Sequence, residues 1–159
     1  MTKFKKDMKK VIDEFDKKET MRDVGNFAAD RIVKRTRLGK GVSEKGGDSQ
    51  PLKRLSDGYK KQRKKKSTEL SQFTTPGKSN LTRTGQMLDS VKVTEVDQGR
   101  ALVAPTGNRT DSKINKLNNL DVAGYVSKDR PFLNLSKAEL LALNRYVREK
   151  IEALLKKFR

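Results

Sequence analysis

The sequence predicts an α+β fold: a long N-terminal helix, a small antiparallel sheet, a C-terminal amphipathic helix and a long basic arm between the first helix and the sheet. Three observations carry this. Apolar residues recur at helical spacing near both ends of the chain, at Phe4, Met8, Val11, Ile12 and Phe15 and again at Leu140, Leu143, Val147, Ile151, Leu154 and Phe158. Between them, VKVTEVDQGRALVAP alternates apolar and polar residues on either side of a turn. The stretch 38–80 has no apolar period, is rich in glycine and carries a net charge of +7. The units expected within one domain, 1–159, are a helix over 1–37, the arm over 38–80 and an α+β body over 81–159.

Composition narrows the functions. Leu, Ile, Val and Phe make up 37 of the 159 residues, just above the level of roughly 20% below which chains stay disordered. A small core with exposed arms is expected. The net charge of +18 calls for an anionic neighbour: nucleic acid, an anionic membrane or an acidic protein surface. Neither Cys nor His occurs, which removes disulfides, thiolate or imidazole metal sites and every Ser–His or Cys–His nucleophile. The first fifteen residues hold no signal-peptide core and no window reaches the roughly 20 apolar residues of a membrane span. A non-secreted protein without membrane contact is expected.

The N-terminal stripe is interrupted at Lys17-Lys18-Glu19-Thr20 and resumes at Val24, Phe27, Ala28, Ile32 and Val33, so the spacing predicts one helix over 2–37, bent near Thr20 or Gly25. Asp13, Glu14 and Asp16 point in different directions on it and converge poorly on a metal ion. In the arm, LGKGVSEKGGDSQ at 38–50 reads as a flexible loop. Ser56 then caps a short helix that carries Tyr59 and a basic run. Lys53, Arg54, Lys60, Lys61, Arg63, Lys64, Lys65 and Lys66 stand against a single acid in that stretch, Asp57. They form either a contact patch for phosphates or an acidic partner, or a solvated arm. Without interleaved aromatics beyond Tyr59, the run is no base-stacking platform. A second loop follows over 67–80.

At 81–91 the chain tightens into LTRTGQMLDSV. Thr82 or Thr84 is positioned to cap a short helix, Met87, Leu88 and Val91 to fill core, and Asp89 and Ser90 to face outward or bond locally. A hairpin follows, turning at Asp97-Gln98-Gly99-Arg100. Ile114, Leu117 and Leu120 suit a short helix, while 122–126 suits either its continuation or a further strand. Arg130-Pro131-Phe132-Leu133 is a rigid corner, because proline pushes the preceding residue out of the helical region. Ser136-Lys137-Ala138-Glu139 is a capping box that opens the last helix, expected to pack on the sheet and the N-terminal helix.

In order, these pieces resemble a known family. A "PL" at Pro51-Leu52 precedes Leu55-Ser56 and the basic helix. Then come LTRTGQMLDSV, two strands, "RPFL" at 130–133 and a C-terminal amphipathic helix. This pattern, over roughly 51–158, is similar to the tail-completion and minor tail proteins of long-tailed bacteriophages, also called virion morphogenesis or head–tail joining proteins. Met87 stands where that pattern commonly has Leu. The resemblance implies a small α+β structural protein, not an enzyme and without a cofactor. It implies assembly in the host cytoplasm as a ring, often of six copies, at the neck of the virion. There the ring completes the tail tube, meets the tail terminator or the head connector and stopper, and lets the genome pass through. Thr84, Gly85, Leu88 and residues 130–133 are then structural motif positions, and Arg83 with the basic arm meets an acidic neighbour or DNA phosphates. Two other functions compete: a sequence-independent nucleic-acid binder using Lys60–Lys66, and a metal nuclease built on Asp89, Asp97 and Asp111, whose spacing forms no recognisable two-metal set.

Overall fold

The structure is a computed structural model that describes residues 3–65, 74–75, 77–109 and 117–158. Among these the fold is α+β, with six helices and two small antiparallel sheets. The N-terminal stripe forms α1 (Lys3–Phe15) and α2 (Lys18–Arg37). The expected single helix is two, broken at Asp16-Lys17, where Lys17 takes an extended backbone at the start of the interruption over 17–20, and not at Gly25. Gly25 stays inside α2 because the helix crosses the hairpin there. A Cβ at Gly25 would lie 2.6 Å from Val93 Cγ2 and 2.9 Å from the Ala101 methyl, closer than packed carbons approach.

The hairpin is β3 (Val91–Asp97) paired with β4 (Arg100–Pro105), with a register shift between Val93 and Glu95. It follows α4 (Gln86–Asp89). Helix α5 (Asn119–Asp129) decides the open reading of 122–126 as helix. Its start is set by a capping box in which the Asn118 N–H donates to the Asp121 carboxylate and the Asp121 N–H to the Asn118 side-chain oxygen. Val122, Ala123 and Val126 then share the core-facing side, while Leu120 and Tyr125 are exposed. Of the short helix expected through Ile114, Leu117 and Leu120, Ile114 lies outside the described residues, Leu117 precedes α5 and is not helical, and Leu120 falls in its first turn.

Helix α6 (Lys137–Lys157) begins at the predicted capping box, Ser136 with Glu139. It packs on α1 and α2; Phe27 and Tyr146 stack with centroids 4.5 Å apart, and Lys150 pairs with Asp23 at 2.8 Å. The expected packing of α6 on the sheet is replaced by α2, whose small residues bring it against the hairpin first.

One core cluster holds the body together: Ile32 from α2, Met87 and Leu88 from α4, Ala123 from α5 and Phe132. Leu88 and Phe132 are completely buried. Beside it the Arg35 guanidinium, 6% exposed, donates to the Phe132 and Asn134 carbonyls and to the Glu139 carboxylate. Burying a cation is costly unless it is paired; the two carbonyls come from the segment between α5 and α6 and the carboxylate from the first turn of α6.

The arm differs most from expectation. Residues 38–56 are docked, not open. Strands β1 (Lys40–Gly41) and β2 (Gln50–Pro51) pair antiparallel, and Val42 and Leu52 are buried. Val42 N–H donates to the Pro131 carbonyl at 3.1 Å, Lys137 N–H to Gly47 at 2.9 Å, and the Asn134 amide to Ser43 and Glu44. Two isolated apolar anchors have no period to reveal them, so composition alone reads the stretch as loose. The predicted short helix is α3 (Asp57–Lys65), with Tyr59 N–H donating to the Ser56 hydroxyl at 3.3 Å.

A pair of glycine substitutions tests this docking. A Cβ at Gly41 would run into the Pro131 carbonyl and the Leu52 side chain, whereas one at Gly58 in α3 meets nothing within 4 Å. Gly41→Ala is expected to lower the unfolding free energy by about 1–3 kcal/mol. Gly58→Ala raises it by about 0.5–1 kcal/mol, since it removes backbone freedom from a helix position. Urea unfolding of the two variants measures both signs.

Candidate functional site

The docked arm brings α3 over the start of α4 and the face of α5, and a cleft of about 750 Å³ opens between them. Lys53 and Arg54 come from the arm, Arg63 from α3, Arg83 and Arg109 from the turns around the hairpin, and Arg130 from the corner after α5. These six cations line the cleft with no carboxylate among the described lining residues. Its apolar surface comes from Leu55, Leu81, Met87, Val122 and Val126.

Local chemistry explains how the wall is built. Leu81 sits at φ 55°, a left-handed conformation unusual for a bulky residue. Thr82 is buried and turns its hydroxyl to the Asn80 side chain at 2.7 Å, while Thr74 donates to the Thr82 carbonyl. Neither Thr82 nor Thr84 caps α4, as had been expected. The N-cap is Gly85, at φ 81°, with no side-chain cap bond. The chain turns through a left-handed residue there, which glycine alone adopts at little cost. Met87 and Leu88 then point into the core. Arg37 reaches Asp89 at 2.6 Å on the surface, and Ser90 donates to the Met87 carbonyl at 2.8 Å.

Arg130 is held by carbonyls and a hydroxyl: its Nε donates to Lys53 O and to Ser79 Oγ, both at 3.1 Å, and its Nη2 to Arg54 O at 3.4 Å. Lys53 in turn pairs with Asp129 at 2.9 Å, and that contact holds the Asp129 carboxyl below its ordinary range. Arg63 is only 4% exposed; its Nη1 donates to Lys78 O at 3.0 Å and its guanidinium lies 5.9 Å from the Tyr59 ring centroid. Burial lowers the proton affinity of Arg63, the Arg83 charge adds to this, and Tyr59 acts against it.

The structure thus splits the predicted basic patch. Lys53, Arg54 and Arg63 join the cleft. Lys60 pairs with Asp57 at 2.9 Å beside it, while Lys61, Lys64 and Lys65 face solvent on α3. Lys66 lies outside the described residues. Of the motif positions, Thr84, Gly85 and Arg130 line the cleft, whereas Leu88 and Phe132 form core beneath it. Pro131 supplies the carbonyl that receives Val42, and Leu133 packs on the core cluster. Sequence reasoning missed Arg109, Arg35 and the anchors Val42 and Leu52. Arg35 had a usable signal: it stands three residues after Ile32, on the same helical face.

No group of three or more acidic side chains is gathered as a metal ion needs, and no helix is long and apolar enough to cross a membrane, both among the described residues. Asp111, weighed for the nuclease set, lies outside them. Comparison with family models, with curated proteins and with solved structures finds no match.

Leu88→Asp places a carboxylate in the closed core between α4 and Phe132. It is expected to cost about 4 kcal/mol or more and to yield insoluble or unfolded protein. Asp89→Ala, one position on, removes only the exposed pair with Arg37 and costs at most about 1 kcal/mol. Thermal melts followed by circular dichroism separate the two.

Proposed function

We propose that this chain is a structural virion protein of a long-tailed bacteriophage, a subunit of a ring at the neck or tail top. The ring, of about six copies by the family resemblance, completes the tail and joins it to the head connector, and the genome passes through it. The observation that carries this reading is the convergence of the two family-like motifs. LTRTGQMLDSV and Arg130-Pro131-Phe132-Leu133 are far apart in the chain, yet they share one core through Leu88 and Phe132 and one cleft through Gly85 and Arg130. A motif order that also makes a spatial unit is a stronger basis for the resemblance than spacing alone.

Self-assembly is supported by α6. None of its 21 residues is buried, and Leu140 and Leu141 are 45% and 68% exposed. A helix that leaves these two leucines open at its start gains by burial against another copy. Such assembly would occur in the host cytoplasm, with the finished protein located in the virion.

A second reading is favoured by one observation. Lys61, Lys64 and Lys65 stand three and four residues apart on one exposed face of α3, a geometry that suits sequence-independent contact with phosphates. Duplex binding by this face is expected to weaken with salt by about 0.9 in log–log slope for each phosphate neutralised.

Two measurements test the main reading. Purified protein imaged by electron microscopy is expected to show closed rings, and Leu140→Asp combined with Leu141→Asp to leave folded subunits that no longer close. Phage produced without the protein is expected to yield unjoined heads and tails. Complete, infectious, tailed particles made without it overturn the assignment.

A further inference from the structure

A groove runs between α2, the hairpin and the start of α6, and no residue of α5 lines it. Its volume is about 590 Å³, far more than a single water molecule fills. Val24 and Ala28 of α2, Ala101 and Val103 of β4, and Leu140 and Leu143 of α6 supply apolar wall. The charges that line it balance, Lys45 against Glu44. The cleft beside α3 differs in kind, with six cations on its walls.

The outer face of α5 is the counterpart. Leu120 and Tyr125 are 53% and 66% exposed, and the Lys128 ammonium lies 5.7 Å from the Tyr125 ring centroid. Between the two apolar side chains Gly124 leaves the backbone bare. A Cβ there would meet nothing within 4 Å. Glycine weakens a helix relative to alanine, and no contact among the described residues requires it at this position. Like the groove, α5 is close to neutral, with Lys128 against Asp121 and Asp129.

That balance bears on the choice of partner. A chain of net charge +18 repels its own copies, so copies meet at least cost where both facing surfaces are apolar and nearly neutral. These two surfaces meet that condition. We propose that the outer face of α5 seats in the groove between α2, β4 and α6 of a second copy. Leu120 and Tyr125 enter the hollow, and the bare backbone at Gly124 lies against its rim. Helix α5 packs on α4 and β4, whereas α6 packs on α1 and α2, so the two patches sit on different elements. The contact is therefore heterologous: each copy offers α5 to one neighbour and its groove to another, which makes a ring when the rotation closes. This inference rests on the self-assembly proposed above and names the two surfaces that meet.

Sedimentation velocity of the full-length protein over a range of concentrations tests it. The wild type is expected to associate. Tyr125→Ser on α5, and Ala28→Leu or Leu140→Ser in the groove, are each expected to weaken association at least tenfold while the subunits still melt cooperatively. Gly124→Ala is expected to raise the melting temperature of dilute, single subunits and yet to weaken association at least threefold. Gly58→Ala, the same change on α3, raises the melting temperature and leaves association within twofold. A mixture of Tyr125→Ser and Leu140→Ser proteins has one intact α5 face and one intact groove, and is expected to give heterodimers and nothing larger. Wild-type association in Tyr125→Ser or in both groove variants, association of Gly124→Ala as tight as the wild type, or a mixture without heterodimers overturns this interface alone and leaves the ring reading standing. A wild-type protein that stays single at every concentration overturns this interface and the self-assembly reading together.

Discussion

The Arg35 guanidinium is the interaction on which the rest of the architecture depends. It lies on α2, between the hairpin side of that helix and the corner after α5. Because a buried cation must be neutralised and hydrogen-bonded, its partners cannot drift. Phe132 and Asn134 present carbonyls to it, and Glu139 presents the carboxylate that also closes the cap of α6. One side chain therefore fixes where the corner runs, where α6 starts and how both sit on α2. The docked arm is built on that result, since Val42 and Gly47 bond to Pro131 and Lys137 on either side of the same segment.

With the corner and arm in place, the charge of the chain acquires a shape. Nothing in a net charge of +18 says that basic side chains will face one another. Here the fold gathers six of them around a partly apolar cleft, and the cations are steadied differently. Arg130 is braced by carbonyls and a hydroxyl, Lys53 by Asp129, and Arg63 by burial against Tyr59 with a single carbonyl. The remaining lysines of α3 stay in water and behave as an ordinary solvated face. A single basic patch in the sequence is thus two surfaces with different chemistry: a concave one that suits charge combined with apolar contact, and a convex one that suits charge alone.

Legibility in the sequence followed periodicity. The hairpin, the capping box at Ser136, the helix from Asp57 and the core roles of Met87, Leu88 and Val91 were readable because each depends on neighbours within a few residues. The break at Lys17 falls where the stripe is interrupted; the alternative at Gly25 fails, because Gly25 reads as a weak point locally but is required at the crossing with Val93 and Ala101. A threonine cap on α4 was equally plausible in one dimension. It failed because Thr82 is drawn to Asn80 and Gly85 takes the left-handed turn.

What the sequence by itself determined is the class of the protein: α+β, basic, without Cys or His, and with its apolar stripes at the two ends and its strands in the middle. Local propensity, capping and alternation act over a handful of residues, and they are written in the chain. Tertiary structure alone decided that the glycine-rich arm is docked, that Arg35 is a buried ion paired with Glu139 and that Arg63 is a buried cation held by one backbone carbonyl. Val42 and Leu52 are single apolar residues without a local period; Val42 is seated by Pro131, about 90 positions away, and Leu52 by Gly39 and Gly41 across the small sheet. Arg35 meets Glu139 and two carbonyls while Arg63 meets a single carbonyl, a matter of how the elements pack and not of spacing along the chain.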